Sequence, residues 1–280
     1  MAAMQDRTVI TATAGGYPLR HRAGVGHPLL VVTPFGIAAS EAWLKPRRTG
    51  MRPVAIMGAA DLERFLSPAE TVVQDILGAT GWANAPGIQV AGYSSGGFAA
   101  MLFGAILALD CPSCRVEVVV FSPPVCLWPT ESRARTIRHR TMLARSVAEA
   151  TSRTHLERYG DTRPWLRRAA AVAGDRFSVK VVYPEANGED RQQAELLSGI
   201  AGVTLLPMPT AQHSLHKFLV ARGSADVARD LLESHLSMRR GKTAACARAE
   251  AMALHAAFDA ALAAHADLRA VVRPAGIPVE

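Results

Sequence analysis

Through the middle of the chain, apolar runs of about five to eight residues alternate with longer stretches whose apolar positions recur at helical spacing. Val9-Ile10-Thr11-Ala12 and Tyr17-Pro18-Leu19-Arg20 flank Gly15-Gly16 and predict an opening hairpin. Residues 28–32 and 53–57 follow as strands, rich in β-branched residues and bounded by turn formers. Residues 69–77 predict an amphipathic helix, 87–92 a strand, and 95–109 the helix after it. Val116-Glu117-Val118-Val119-Val120-Phe121 is the next strand, stopped by Ser122-Pro123-Pro124. Strands at 179–183 and 203–206 then bracket a helix at 190–197. Runs this apolar suit strands buried on both faces. Their alternation with helices predicts an α/β chain with a mostly parallel central sheet and helices on both faces.

Two segments break the alternation. Residues 130–175 are polar, Arg-rich and helical in character, and too long for an ordinary loop, so a small helical lid is expected there. The segment carries Arg133, Arg135, Arg138, Arg140 and Arg145, with Tyr159 and Trp165. An inward arginine face would favour a substrate bearing carboxylate or phosphate; an outward one, the preferred reading, is a solvated helix. Near the C-terminus, Leu254, Phe258 and Leu262 stand at i, i+4, i+8 in an Ala-rich stretch and form one apolar stripe, expected to be a packing face. The expected organisation is one domain over 1–242, with the lid inserted at about 130–175, and a C-terminal helical extension over 243–280.

With 280 residues, 49% of them hydrophobic and 20% charged, the chain can bury the core of one large α/β domain or two small ones. It has no apolar run of about 18 residues, so no membrane-spanning helix is expected. The polar start lacks the apolar core of a signal peptide, which makes the cytoplasm the default compartment. Four cysteines are too few for a disulfide framework, and Cys111-Pro112-Ser113-Cys114 has no second ligand pair at zinc-binding spacing. No metal and no cofactor is expected. The net charge of +7 is spread along the chain without aromatic interleaving, which reads as a solvated basic surface and not as a nucleic-acid site.

The chemistry concentrates at Gly92-Tyr93-Ser94-Ser95-Gly96-Gly97, a G-x-S-x-G motif between a buried strand and a helix. A serine on so sharp a turn needs small residues two before and two after it, and the helix N-terminus aims free N–H groups at the reacting centre. Ser95 would need glycine at position 93, where Tyr93 stands, so the frame selects Ser94 as nucleophile.

These residues resemble the α/β-hydrolase superfamily over about residues 29–232, and the resemblance implies that fold. It also implies the order nucleophile, acid, histidine, with the acid after the strand two beyond the elbow and the histidine after the last strand. His213, in Pro209-Thr210-Ala211-Gln212-His213, has the address of the base, and His216 is the weaker candidate. Tyr183-Pro184-Glu185-Ala186-Asn187-Gly188-Glu189-Asp190 holds the acid: Asp190 is preferred to Glu185, although Asp190 could instead cap the following helix. The implied oxyanion hole uses the N–H of Ser95 and a second from the loop after Val32. Many relatives have His-Gly there. This chain has Thr33-Pro34-Phe35-Gly36, with Phe35 at the donor position and Pro34 unable to donate. Losing one such donor costs about 3 kcal/mol of transition-state stabilisation.

The Tyr93–Ala100 run, Phe103-Gly104 and Val120-Phe121-Ser122-Pro123 also resemble bacterial hydrolase-like proteins linked with glycan or cell-surface assembly. The expected function is a serine hydrolase acting on an ester or thioester through an acyl-enzyme. The alternatives are a non-enzymatic accessory protein of that fold, or an acyltransferase. Expected partners are a small-molecule acyl substrate and, at most, a second copy of the chain as a homodimer.

Overall fold

In the computed structural model, which describes residues 9–34, 44, 52–58, 68–128, 147–215, 244–265 and 268, the opening hairpin forms as its sequence predicts. β1 (Val9–Ala14) and β2 (Tyr17–Arg22) pair antiparallel across Gly15 and Gly16, whose φ values of 57° and 81° are those a two-residue type I′ turn requires. The chain continues through β3 (Leu29–Thr33), β4 (Val54–Gly58), α1 (Ala69–Thr80), β5 (Gly87–Tyr93), α2 (Ser95–Asp110) and β6 (Arg115–Phe121). Then come α3 (Ala150–Tyr159), α4 (Arg163–Ala173), β7 (Phe177–Pro184), α5 (Gly188–Glu195), β8 (Val203–Met208) and α6 (Ala244–Ala264).

All eight strands join one sheet in the order β1-β2-β4-β3-β5-β6-β7-β8, parallel from β4 to β8. The chain builds outward from β3 to β4, then restarts on the other side of β3 with β5. That reversal opens a crevice at the carboxyl ends of β3 and β5, where open α/β sheets bind their ligands.

Alternation along the strands sorts the core into two layers. Leu30, Val32, Val90, Val118, Val120, Val179 and Val181 face one side with the buried residues of α1, α2 and α4. Leu29, Val31, Ile56, Ala91, Val119 and Val182 face the other, against Leu254, Phe258 and Leu262 of α6. The C-terminal stripe is therefore a packing face, as its spacing predicts, and α6 is a covering layer of the sheet more than an appendage to it. Helix α2 is apolar all round and buried from Gly96 to Ala108, which holds the elbow on a rigid base.

Part of the segment expected as a lid has a different task. Leu166, Ala169 and Ala173 of α4 belong to the core that includes α2, so α4 is the crossover helix between β6 and β7. Tyr159 and Trp165 stack with ring centroids 5.7 Å apart, and the buried Tyr159 hydroxyl donates to Glu70 of α1. Burial, then that carboxylate, pushes the Tyr159 phenol up to about 12. Residues 129–146, which include the five arginines from Arg133 to Arg145, lie outside the described residues.

Cys111 and Cys114 sit at the turn after α2 as buried free thiols, and burial pushes the Cys114 thiol up to about 11. A thiol held as far into the protonated range as Cys114 carries little thiolate at neutral pH.

Candidate active site

The strand-to-helix turn at Ser94 is a strained elbow. Ser94 has φ 51° and ψ −132°, a conformation rare for any residue with a Cβ. Its N–H donates to the Phe121 carbonyl at 2.8 Å, and its own carbonyl accepts from Gly97 N–H at 2.8 Å. The flanking glycines are steric requirements. A Cβ on Gly92 would lie 2.4 Å from the Gly96 carbonyl oxygen, and one on Gly96 would lie 2.5 Å from the Val32 carbonyl oxygen. The spacing in the motif thus records how closely the first turn of α2 rides over the ends of β5 and β3.

His213 is held in the loop after β8 by a short ladder. Thr210 Oγ1 accepts from Gln212 N–H at 3.1 Å, Leu215 N–H donates to the His213 carbonyl at 2.9 Å, and Ala186 N–H donates to the Thr210 carbonyl at 3.1 Å. The last of these ties the loop after β7 to the loop after β8. As a result, His213 Nε2 lies 3.0 Å from Ser94 Oγ, and Nδ1 lies 2.9 Å from both carboxylate oxygens of Asp190. The Asp190 side chain is 9% exposed and that of His213 45%, so the carboxylate is enclosed while the imidazole is half open to solvent.

Of the two carboxylates weighed from the sequence, Asp190 is the one brought to the imidazole. Asp190 meets His213; Glu185 is exposed at the start of the loop. Asp190 also lies in the first turn of α5 and not ahead of it. Asn187 is the cap, its side-chain oxygen accepting from the N–H groups of Glu189 at 3.2 Å and Asp190 at 3.3 Å. With the cap supplied elsewhere, the Asp190 carboxylate is available to the imidazole.

Burial disfavours the charged form of His213, but the hydrogen bond and charge of Asp190, with the charge of Glu189, outweigh it and raise the imidazole above its ordinary value. The imidazolium therefore persists to a higher pH than usual, and a protonated ring cannot accept the serine proton. The acidic limb of kcat/KM for an activated ester is expected to have its midpoint above about pH 6.5. A midpoint below pH 6 in a pH–rate profile would exclude this arrangement in solution.

Ser95 is the first residue of α2, at a terminus whose leading N–H groups have no partner within the helix. Phe35 and His216 lie outside the described residues. Two site groups were not visible from the sequence. Ser122 follows β6 and reads there only as a strand stop. Gln193 of α5 accepts from Val125 N–H at 2.7 Å and Cys126 N–H at 3.0 Å, anchoring the chain that leaves β6. Among the described residues no group of three or more His, Cys, Asp or Glu side chains is placed to hold a metal ion, and no helix is long and apolar enough to cross a membrane.

Sheet order, elbow and loop positions define an α/β-hydrolase fold. Solved structures agree. The carboxyl esterase 2 of the mycorrhizal fungus Tuber melanosporum aligns with a TM-score of 0.51 at 14% identity, over 90% of each chain. An esterase of the bacterial hormone-sensitive lipase family aligns with a TM-score of 0.50 at 15% identity, over 82% of this chain and 84% of its own. Likeness at this identity extends to the fold. No protein-family model and no curated protein sequence matches the chain.

Proposed function

We propose that this protein is a serine hydrolase that cleaves an ester or thioester through an acyl-enzyme. The observation that carries the reading is the relay Ser94 Oγ, His213 Nε2, His213 Nδ1, Asp190, at 3.0 and 2.9 Å. Ser94 Oγ attacks the substrate carbonyl carbon while its proton passes to His213 Nε2. The tetrahedral oxygen develops its charge toward the Ser95 N–H. Collapse expels the alcohol or thiol, which takes the proton from His213, and leaves the acyl group on Ser94. Water, activated by the same imidazole, then releases the acid. Asp190 holds the tautomer that points Nε2 at Ser94 and stabilises the imidazolium as it forms.

Transfer of the acyl group to a second acceptor shares the first half of this sequence. The second reading, a non-enzymatic accessory of this fold, draws on the loop after β3, where Thr33-Pro34-Phe35-Gly36 stands in place of the His-Gly of many relatives.

A fluorophosphonate probe separates the readings, since it reacts only with an activated serine. The enzyme reading expects stoichiometric labelling at Ser94 and turnover of p-nitrophenyl esters. A folded protein that neither labels nor turns over these esters would favour the accessory role.

A further inference from the structure

We propose that Ser122 is a positioning residue for the histidine: its hydroxyl, donated to the His213 carbonyl, fixes the loop that carries the imidazole over Ser94. The inference rests on the reading of Ser94, His213 and Asp190 as the reacting groups. It stands on three observations around one buried residue.

Ser122 is 1% exposed, and its Oγ–H donates to the His213 carbonyl oxygen at 2.7 Å, across 91 positions of the chain. That carbonyl also accepts the Leu215 N–H at 2.9 Å, so His213 is gripped from its own loop and from the end of a different strand. Second, Ser122 has φ 47°; among the described residues it and Ser94 are the two non-glycine residues at positive φ. Backbone in that region persists where surrounding structure over-determines it, and such positions cluster at working sites. Here Ser122 N–H donates to the Val182 carbonyl at 2.9 Å, and Pro123 packs where a Cβ on Gly97 would come within 2.9 Å. Third, the register pairs Tyr93 with Phe121, so the two strained serines occupy matching positions on adjacent strands. The end of β6 thus sits beside the nucleophile while its hydroxyl holds the base, and one rigid strand end sets the distance between them.

Ser122→Ala and Ser122→Gly test this together. Both remove the hydroxyl; alanine keeps a Cβ at φ 47°, whereas glycine relieves it. With both variants folded by circular dichroism, kcat for a p-nitrophenyl ester is expected to fall about 100-fold in each, as for a displacement of about 1 Å, with KM within about twofold. The glycine variant is expected to have the higher Tm of the two. A second readout needs no turnover. The downfield proton resonance of the His213 Nδ1–H held by Asp190 is expected to shift or broaden in both variants. Loss of that resonance in the variants of an enzyme that turns over no ester would uphold the positioning role while removing the hydrolase reading. Wild-type kcat and an unchanged resonance in both variants, or a defect that glycine repairs, would overturn the role of the hydroxyl.

Discussion

Ser94→Ala is expected to lower kcat for an activated ester by about 10⁶-fold and to abolish fluorophosphonate labelling. The size follows from the arrangement. The serine supplies the atom that bonds the acyl group, and His213 has no other described hydroxyl at 3.0 Å from Nε2. What remains, roughly 10³–10⁴ over the uncatalysed reaction, would come from substrate binding and the N–H donors at the start of α2. The fold should be unaffected. Alanine retains the Cβ that Ser94 already carries at φ 51°, and Ser94 is not a helix cap through its side chain. Matching circular dichroism and Tm, with labelling and turnover both lost, is the expected result. Labelling that persists in the alanine variant would move the nucleophile elsewhere, with the neighbouring Ser95 first in line.

Asp190→Asn is expected to cost about 10⁴-fold in kcat, the scale seen when a triad carboxylate becomes an amide. An amide can offer its NH₂ to Nδ1, which stabilises the tautomer whose Nε2 carries the proton and so cannot accept one from Ser94. The same substitution removes the principal hydrogen bond and charge that raise His213, and leaves the burial that lowers it. Whatever activity survives should therefore show its acidic limb at lower pH than the wild type. Glu185→Gln serves as the control: its side chain is exposed, and less than a twofold change is expected on the order of magnitude of an exposed surface substitution. A larger loss in Glu185→Gln than in Asp190→Asn, measured in one assay, would reverse the assignment of the acid.

The fold was legible where local pattern suffices. Strand and helix positions follow from the period of apolar residues. Gly92-x-Ser94-x-Gly96 names the elbow because the three residues of the motif are close in sequence, although the Val32 carbonyl that requires glycine at position 96 is not. His213 could be addressed from its place after the last strand. The stripe of Leu254, Phe258 and Leu262 announced a packing face, although not the face of the sheet it would cover.

Other choices were made by distance in space. Glu185 and Asp190 are near neighbours in the sequence with similar chemistry, and the sequence alone ranks them weakly. The parallel pairing of β7 with β8, the Asn187 cap and the Ala186–Thr210 bond decide that Asp190 faces the imidazole. The contacts that make the site span 23, 91 and 119 positions. The same holds for α4, whose polar, Arg-rich sequence reads as a lid until its narrow stripe of Leu166, Ala169 and Ala173 meets α2. Ser122 is the clearest case. In sequence it ends a strand before two prolines; in space its hydroxyl reaches the His213 carbonyl. Hydrophobic period is a property of neighbours along the chain, so it survives in the sequence. A hydrogen bond between two loops depends on the register of every strand between them, and only the assembled sheet supplies that.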